Sequence, residues 1–121
     1  MAWELQNDRP IYLQLIERLK LLIISGTYAP GSKLPSVRDL AMEASVNPNT
    51  MQKALTELER DGLIITNRTS GRQVTEDEKM IKEQRKELAK KQLEEFLAQM
   101  EKLGFTKEEI KELITNNLET K

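Results

Sequence analysis

The spacing of apolar residues along this chain changes from helical to β-like and back to helical, and each change marks an element. Leu15, Ile16, Leu19, Leu22 and Ile23 recur three and four positions apart, which places them on one helical face. Asp8 is a capping residue, Pro10 suits a first helical turn, and Ser25 and Gly26 close the segment. The stretch TYAPGSKLP that follows holds Pro30, Gly31 and Pro35 and reads as a loop. Ser36, with Asp39 three residues on, approximates a capping box for a short helix to about Glu43 that buries Val37, Leu40 and Ala41. Asn47 and Pro48 repeat the start signal, and Met51, Ala54, Leu55 and Leu58 give the next helix an apolar face as far as about Asp61. Gly62 stands where a left-handed C-terminal cap belongs.

Leu63 to Thr66 are β-prone, NRTSG is a turn cluster, and Arg72 to Thr75 can return as a second strand, so a small hairpin is expected. Thr75 and Glu78 form a further capping-box pattern ahead of a charged helix without Pro or Gly that runs to about Leu103. Its apolar stripe, Ile81, Leu88, Leu93, Phe96, Leu97, Met100 and Leu103, is thin at first and dense in the last three turns. Gly104 breaks it, and Thr106 with Glu109 caps a last helix carrying Ile110, Leu113, Ile114 and Leu118. The whole predicts a mostly α chain: a winged helix-turn-helix with a small β-hairpin wing over residues 1–75, and two C-terminal helices over 76–121.

Composition narrows this frame. A length of 121 residues with 38% hydrophobic and 32% charged positions suits one ordinary globular domain with an appendage, too small for a deep internal active site. Cys and His are both absent from the sequence, which excludes the usual zinc, haem and cysteine-nucleophile chemistry, and no nucleophile-base pair or phosphate loop is present. No catalytic residue, metal ligand or cofactor is therefore expected. The start MAWELQNDRP has no basic stretch followed by an apolar run, and Leu19 to Ile24 is too short to span a bilayer. A soluble cytoplasmic protein without membrane contact is the expectation.

Net charge is −1, which does not favour a nucleic-acid partner. Its distribution is uneven: residues 1–75 hold nine Lys or Arg against eight Asp or Glu, net +1, and residues 76–121 hold ten against twelve, net −2. Phosphate contacts would have to come from local clustering of Lys33, Arg38, Lys53, Arg68 and Arg72. The polar face of the third helix is more telling. Asn49, Thr50, Gln52 and Lys53 lie near a helix N-terminus, where Asn and Gln can pair with adenine and Thr can touch a thymine methyl, whereas a merely solvated face is richer in Glu and Lys. The competing reading is a plain helical hairpin inside a protein-interaction module. Arg68 and Arg72 beside the hairpin tip fit either a wing on DNA or a clip that closes the core. The C-terminal stripes, Leu93, Phe96, Leu97, Met100, Leu103, Ile110, Leu113 and Ile114, fit dimerisation through a second copy or packing back on the first helix.

The string PGSKLPSVRDLA, with RPIYLQLIERLKLLIISGTYA before it and VNPNTMQKALTELERDGLI after it, resembles the GntR family of bacterial transcription regulators and its short YtrA-like branch. The resemblance covers residues 9–75 closely, and the two C-terminal helices agree in length and placement. It implies a winged-helix repressor that binds double-stranded operator DNA, a pseudo-palindrome, as a homodimer. It also implies DNA contacts at Ser36, Arg38, Asn47, Asn49, Thr50, Gln52 and Lys53, and at the wing around Arg68 and Gly71. The wing departs from the common Arg-Gly-Lys-Gly-Thr-Phe, reading Arg68-Thr69-Ser70-Gly71-Arg72-Gln73. Pro48 stands where other branches carry a base-reading arginine, so their operators do not transfer. Longer members carry an effector domain; about 46 residues here do not enclose a pocket of about 300 Å³, so a small-molecule effector would have to use a dimer-interface cleft.

Overall fold

The computed structural model describes residues 3–120. Its elements are α1 (Ile11–Ile24), α2 (Val37–Ala44), α3 (Pro48–Arg60), β1 (Ile64–Asn67), β2 (Gly71–Val74), α4 (Glu78–Lys102) and α5 (Lys107–Glu119). This is the mostly α winged helix-turn-helix with two further helices that the pattern predicts. Internal contacts divide the chain into a unit ending at Gln84 and a unit beginning at Arg85, a point inside α4.

In the first unit the helical periodicity is realised as a core: Leu15, Leu19, Leu40, Met51, Ala54, Leu58, Leu63 and Val74 are all 0% exposed. α3 is the hub, with α1, α2 and β1 packed on it. Ser36 caps α2 by accepting the Asp39 N–H at 3.1 Å, and Asn47 caps α3 by accepting the Asn49 N–H at 2.7 Å. Between them Ser45 takes the left-handed conformation at φ 59°, and Val46 N–H donates to the Ala41 carbonyl at 2.9 Å, which reverses the chain in two residues. Val37 is only half-buried; Ala44 takes the interior place.

Three expectations are corrected. Asp8 does not cap α1, which starts after Pro10. The reason is Gln14, 5% exposed, whose Nε2 donates to the carbonyls of Gln6 and Arg9 at 2.8 and 3.0 Å and whose Oε1 accepts the Gln6 N–H at 2.7 Å. The backbone therefore bends around this amide, and Arg9, preceding a proline, is sterically turned away from helical geometry.

The loop before α2 contains a third, short extended segment. Val74 N–H donates to Ser32 O and Leu34 N–H to Arg72 O, both at 2.9 Å, with Lys33 bridging Gln73. Leu34, 4% exposed, plugs the core below it. Three residues are too few to show an alternating pattern.

Finally, Thr75 is not the cap of α4. Its N–H is still bonded to Leu63 O at 2.9 Å, so it belongs to the sheet edge. Asp77 caps instead, accepting the Met80 N–H at 3.1 Å, and Ile81, 3% exposed, packs within the first unit.

β1 and β2 pair antiparallel from Ile64↔Val74 to Asn67↔Gly71. In the second unit Thr106 and Glu109 form the expected reciprocal capping box at 3.2 and 2.9 Å. Ile110 is 2% exposed there and fills the interior of its own unit.

Candidate nucleic-acid interface

α3 divides cleanly by face. Met51, Ala54, Leu55 and Leu58 are buried, while Asn49, Gln52, Lys53 and Thr56, spaced three and four apart, form an exposed polar ridge. Thr50 is half-buried beside it. Thr56 turns its hydroxyl back onto Gln52 O at 2.9 Å, so that position is occupied by its own helix. Lys53 is ordered on the surface: its Nζ lies 4.1 Å from the centre of the Tyr12 ring on α1, a cation–π contact that restrains a long side chain.

Ser36 and Asn47 are caps first. Each spends an acceptor oxygen on a helix N–H, which leaves the Ser36 hydroxyl proton and the Asn47 amide hydrogens as donors. Arg38 is exposed in the first turn of α2. On the hairpin, Arg68 and Gly71 are exposed at the tip, and Gly71 has φ 84°, a left-handed conformation that glycine supplies without strain. Arg72, beside the tip, is tied back to the helix: its side chain is 19% exposed and its Nε donates to Glu59 Oε1 of α3 at 2.7 Å. Glu59 also accepts the Thr66 hydroxyl. Burial pushes the Glu59 carboxyl up, but the Thr66 and Arg72 bonds and the Arg72 charge together outweigh this and hold it below its usual value.

Two features of this region escape the sequence pattern. Glu59 lies in a run, Glu57 to Arg60, that looks solvated, and Arg60 does pair with Glu57 at 2.8 Å. Tyr12 gives no sign in the sequence that it underlies Lys53. The aromatic residue Trp3 is also placed: its ring lies 5.9 Å from Arg18 and its Nε1 donates to Glu43 at 3.4 Å, fixing the chain start to α1 and α2.

In the second unit a groove of about 450 Å³ runs between α4 and α5, lined by Leu93, Leu97, Ile110 and Ile114 with Glu101 and Lys107 at its rim. Leu93, Phe96, Leu103 and Leu113 are 51%, 41%, 72% and 44% exposed, and Leu97, Met100 and Ile114 half-buried. Among the described residues no helix is long and apolar enough to cross a membrane.

Residues 11–74 match the family model of bacterial regulatory proteins, gntR family. The chain is 46% identical over 92 residues, 69% of this chain and 71% of the relative, to the HTH-type transcriptional repressor YtrA of Bacillus subtilis. A GntR family transcriptional regulator from Listeria monocytogenes superposes with a TM-score of 0.85 at 39% identity, over 93% of this chain and 98% of that one. The DNA-binding domain of AraR, solved in complex with operator ORX1, is similar over 62% of this chain and 92% of its own, with 26% identity and a TM-score of 0.53.

Proposed function

This chain belongs to the GntR family of bacterial regulatory proteins, close to its YtrA branch, and on that premise we propose that it represses transcription by binding a pseudo-palindromic operator as a homodimer. It is a DNA-binding transcription regulator. The observation that carries the docking is the exposed Asn49–Gln52–Lys53 ridge at the N-terminal end of α3; the operator complex of the related AraR domain supports it. In this reading α3 enters the major groove, Asn49 and Gln52 pair with base edges, and Thr50 meets a thymine methyl. Lys53, Arg38, the Ser36 hydroxyl and the Asn47 amide hold phosphates, and Arg68, Gly71 and Arg72 bring the wing to the backbone or minor groove.

Residues 1–75 are assigned to DNA binding and 76–121 to dimerisation. A second copy seated on the apolar groove between α4 and α5 supplies the two-fold axis. Two α3 helices then reach successive major grooves about one turn, roughly 34 Å, apart. A cytoplasmic location follows from access to such a target.

A gel shift against the protein's own upstream DNA tests this reading. Affinity should fall steeply as salt rises, because phosphate contacts release counterions. Asn49→Ala and Gln52→Ala should each weaken specific binding by about 1 to 3 kcal/mol while sparing binding to a scrambled duplex. Equal losses on both duplexes would reassign those side chains to the backbone, and salt-insensitive binding would rule out the docking.

A further inference from the structure

One carboxylate joins the reading helix to both strands of the wing. Glu59, in the last turn of α3, accepts the Arg72 Nε from β2 at 2.7 Å on one oxygen and the Thr66 hydroxyl from β1 on the other. Thr66 and Arg72 are partners directly across the hairpin, so Glu59 grips a single cross-strand pair. The pair is sheltered, with Glu59 and Arg72 side chains 27% and 19% exposed.

The hairpin needs such a grip. Only Ile64 and Val74 at its base are buried, while Ile65 to Gly71 are exposed. A ribbon whose outer half touches no core has little apolar packing to hold that half at a fixed angle. The third segment at Ser32–Leu34 pairs with β2 alone and leaves β1 unsupported on its other edge.

An acid beside a DNA-reading surface also calls for a reason, since it repels phosphate. Here its charge is matched by Arg72, whose Nε is committed to Glu59, which leaves the two terminal nitrogens of its fork as further donors. We propose that Glu59 is a positioning residue: it fixes the wing against α3 so that Arg72 and the Arg68 tip meet the DNA backbone while α3 lies in the groove. This rests on the DNA-binding reading above.

The test uses the full chain, a duplex selected by the wild-type protein from a random library, and a scrambled duplex of the same length. Glu59→Ala should weaken binding to the selected and the scrambled duplex to a similar extent, by about tenfold, and lower the salt slope by about one, as loss of a backbone contact does. The double variant with Arg72→Ala should bind no worse than Arg72→Ala alone, because both remove the same arrangement. Glu59→Gln, which keeps an acceptor oxygen for Arg72 and offers its amide N–H to the Thr66 hydroxyl oxygen, should retain most of the affinity, and it serves as the folded comparison if Glu59→Ala unfolds. Unchanged or tighter binding by Glu59→Ala, a loss confined to the selected duplex, additive losses in the double variant, or a Gln variant as weak as Ala would each overturn the proposal. Failure of the wild-type protein to select any sequence would instead overturn the DNA-binding reading on which it rests.

Discussion

Single side chains in this protein fix backbone that no periodicity controls, and Gln14 is the clearest case. It is apolar neither in chemistry nor in role, yet it is 5% exposed within the run of Leu15 and Leu19, with both ends of its amide bonded to backbone. A glutamine between leucines on a helix reads as a solvated position; only the fold of the preceding segment back over α1 makes it interior. Gln14→Ala gives up three hydrogen bonds of about 0.5 to 1.5 kcal/mol each, partly regained when water reaches the exposed Gln6 and Arg9 backbone. The expected net loss is about 2 kcal/mol in urea unfolding. It should be accompanied by faster exchange of the Gln6 amide proton while amides in α3 keep their protection. An Ala variant with wild-type stability would mean that the chain start is held elsewhere, the Trp3 contacts with Arg18 and Glu43 being the alternative anchor.

Elements with both an apolar face and a cap were legible in the chain: α2, α3 and α5 begin within a residue of Ser36, Asn47 and Thr106. Elements that depend on pairing with distant backbone were not. The strand-like Ser32–Leu34 is defined by bonds to β2 some forty residues away, and Thr75 lost its cap role because the same sheet holds its backbone while its hydroxyl accepts the Asp77 N–H ahead of the helix. Among the candidate DNA contacts, the α3 ridge follows from helical spacing, whereas Arg72's attachment to Glu59 depends on hairpin register and could not be read from either residue alone. The turn between α2 and α3 carries a residual strain that can be tested. Ser45 sits at φ 59°, ψ 47°, a region that costs an L-residue about 1 to 2 kcal/mol. Glycine removes that cost but loses more entropy on folding, about 0.5 to 1 kcal/mol. Ser45→Gly should therefore raise stability by about 0.5 to 1 kcal/mol, seen as a higher melting temperature, and leave DNA affinity unchanged. A drop in stability would show that the serine makes a compensating contact. Gly62, by contrast, is held to glycine by its φ of 87°, since the Met80 Cε that a Cβ would meet at 2.7 Å is the end of a flexible side chain that can move aside.

At the scale of the whole molecule the two units differ in how well each satisfies itself. The first buries a core drawn from three helices and the sheet, while in the second Ile110 alone among the described residues is fully interior. A segment this short does not ordinarily hold its fold unaided, since the area it buries is small beside the entropy it loses. Burial between two copies supplies what is missing. Leu93 and Phe96, 51% and 41% exposed, each have about half of their side chain left to bury, worth about 1 kcal/mol apiece on the scale of about 1.5 to 3 kcal/mol for full burial. Two-fold symmetry counts each residue twice, so the pair contributes about 4 kcal/mol to a dimer and shifts its dissociation constant by about a thousandfold. Leu93→Asp with Phe96→Asp should convert the protein to a monomer in sedimentation at micromolar concentration. Operator binding should weaken in step, because a lone α3 loses the second half-site, while the thermal unfolding of the first unit, which contains neither residue, should stay in place. A dimer that survives both charges would move the two-fold axis off the groove between α4 and α5, and with it the proposed separation of the two reading helices.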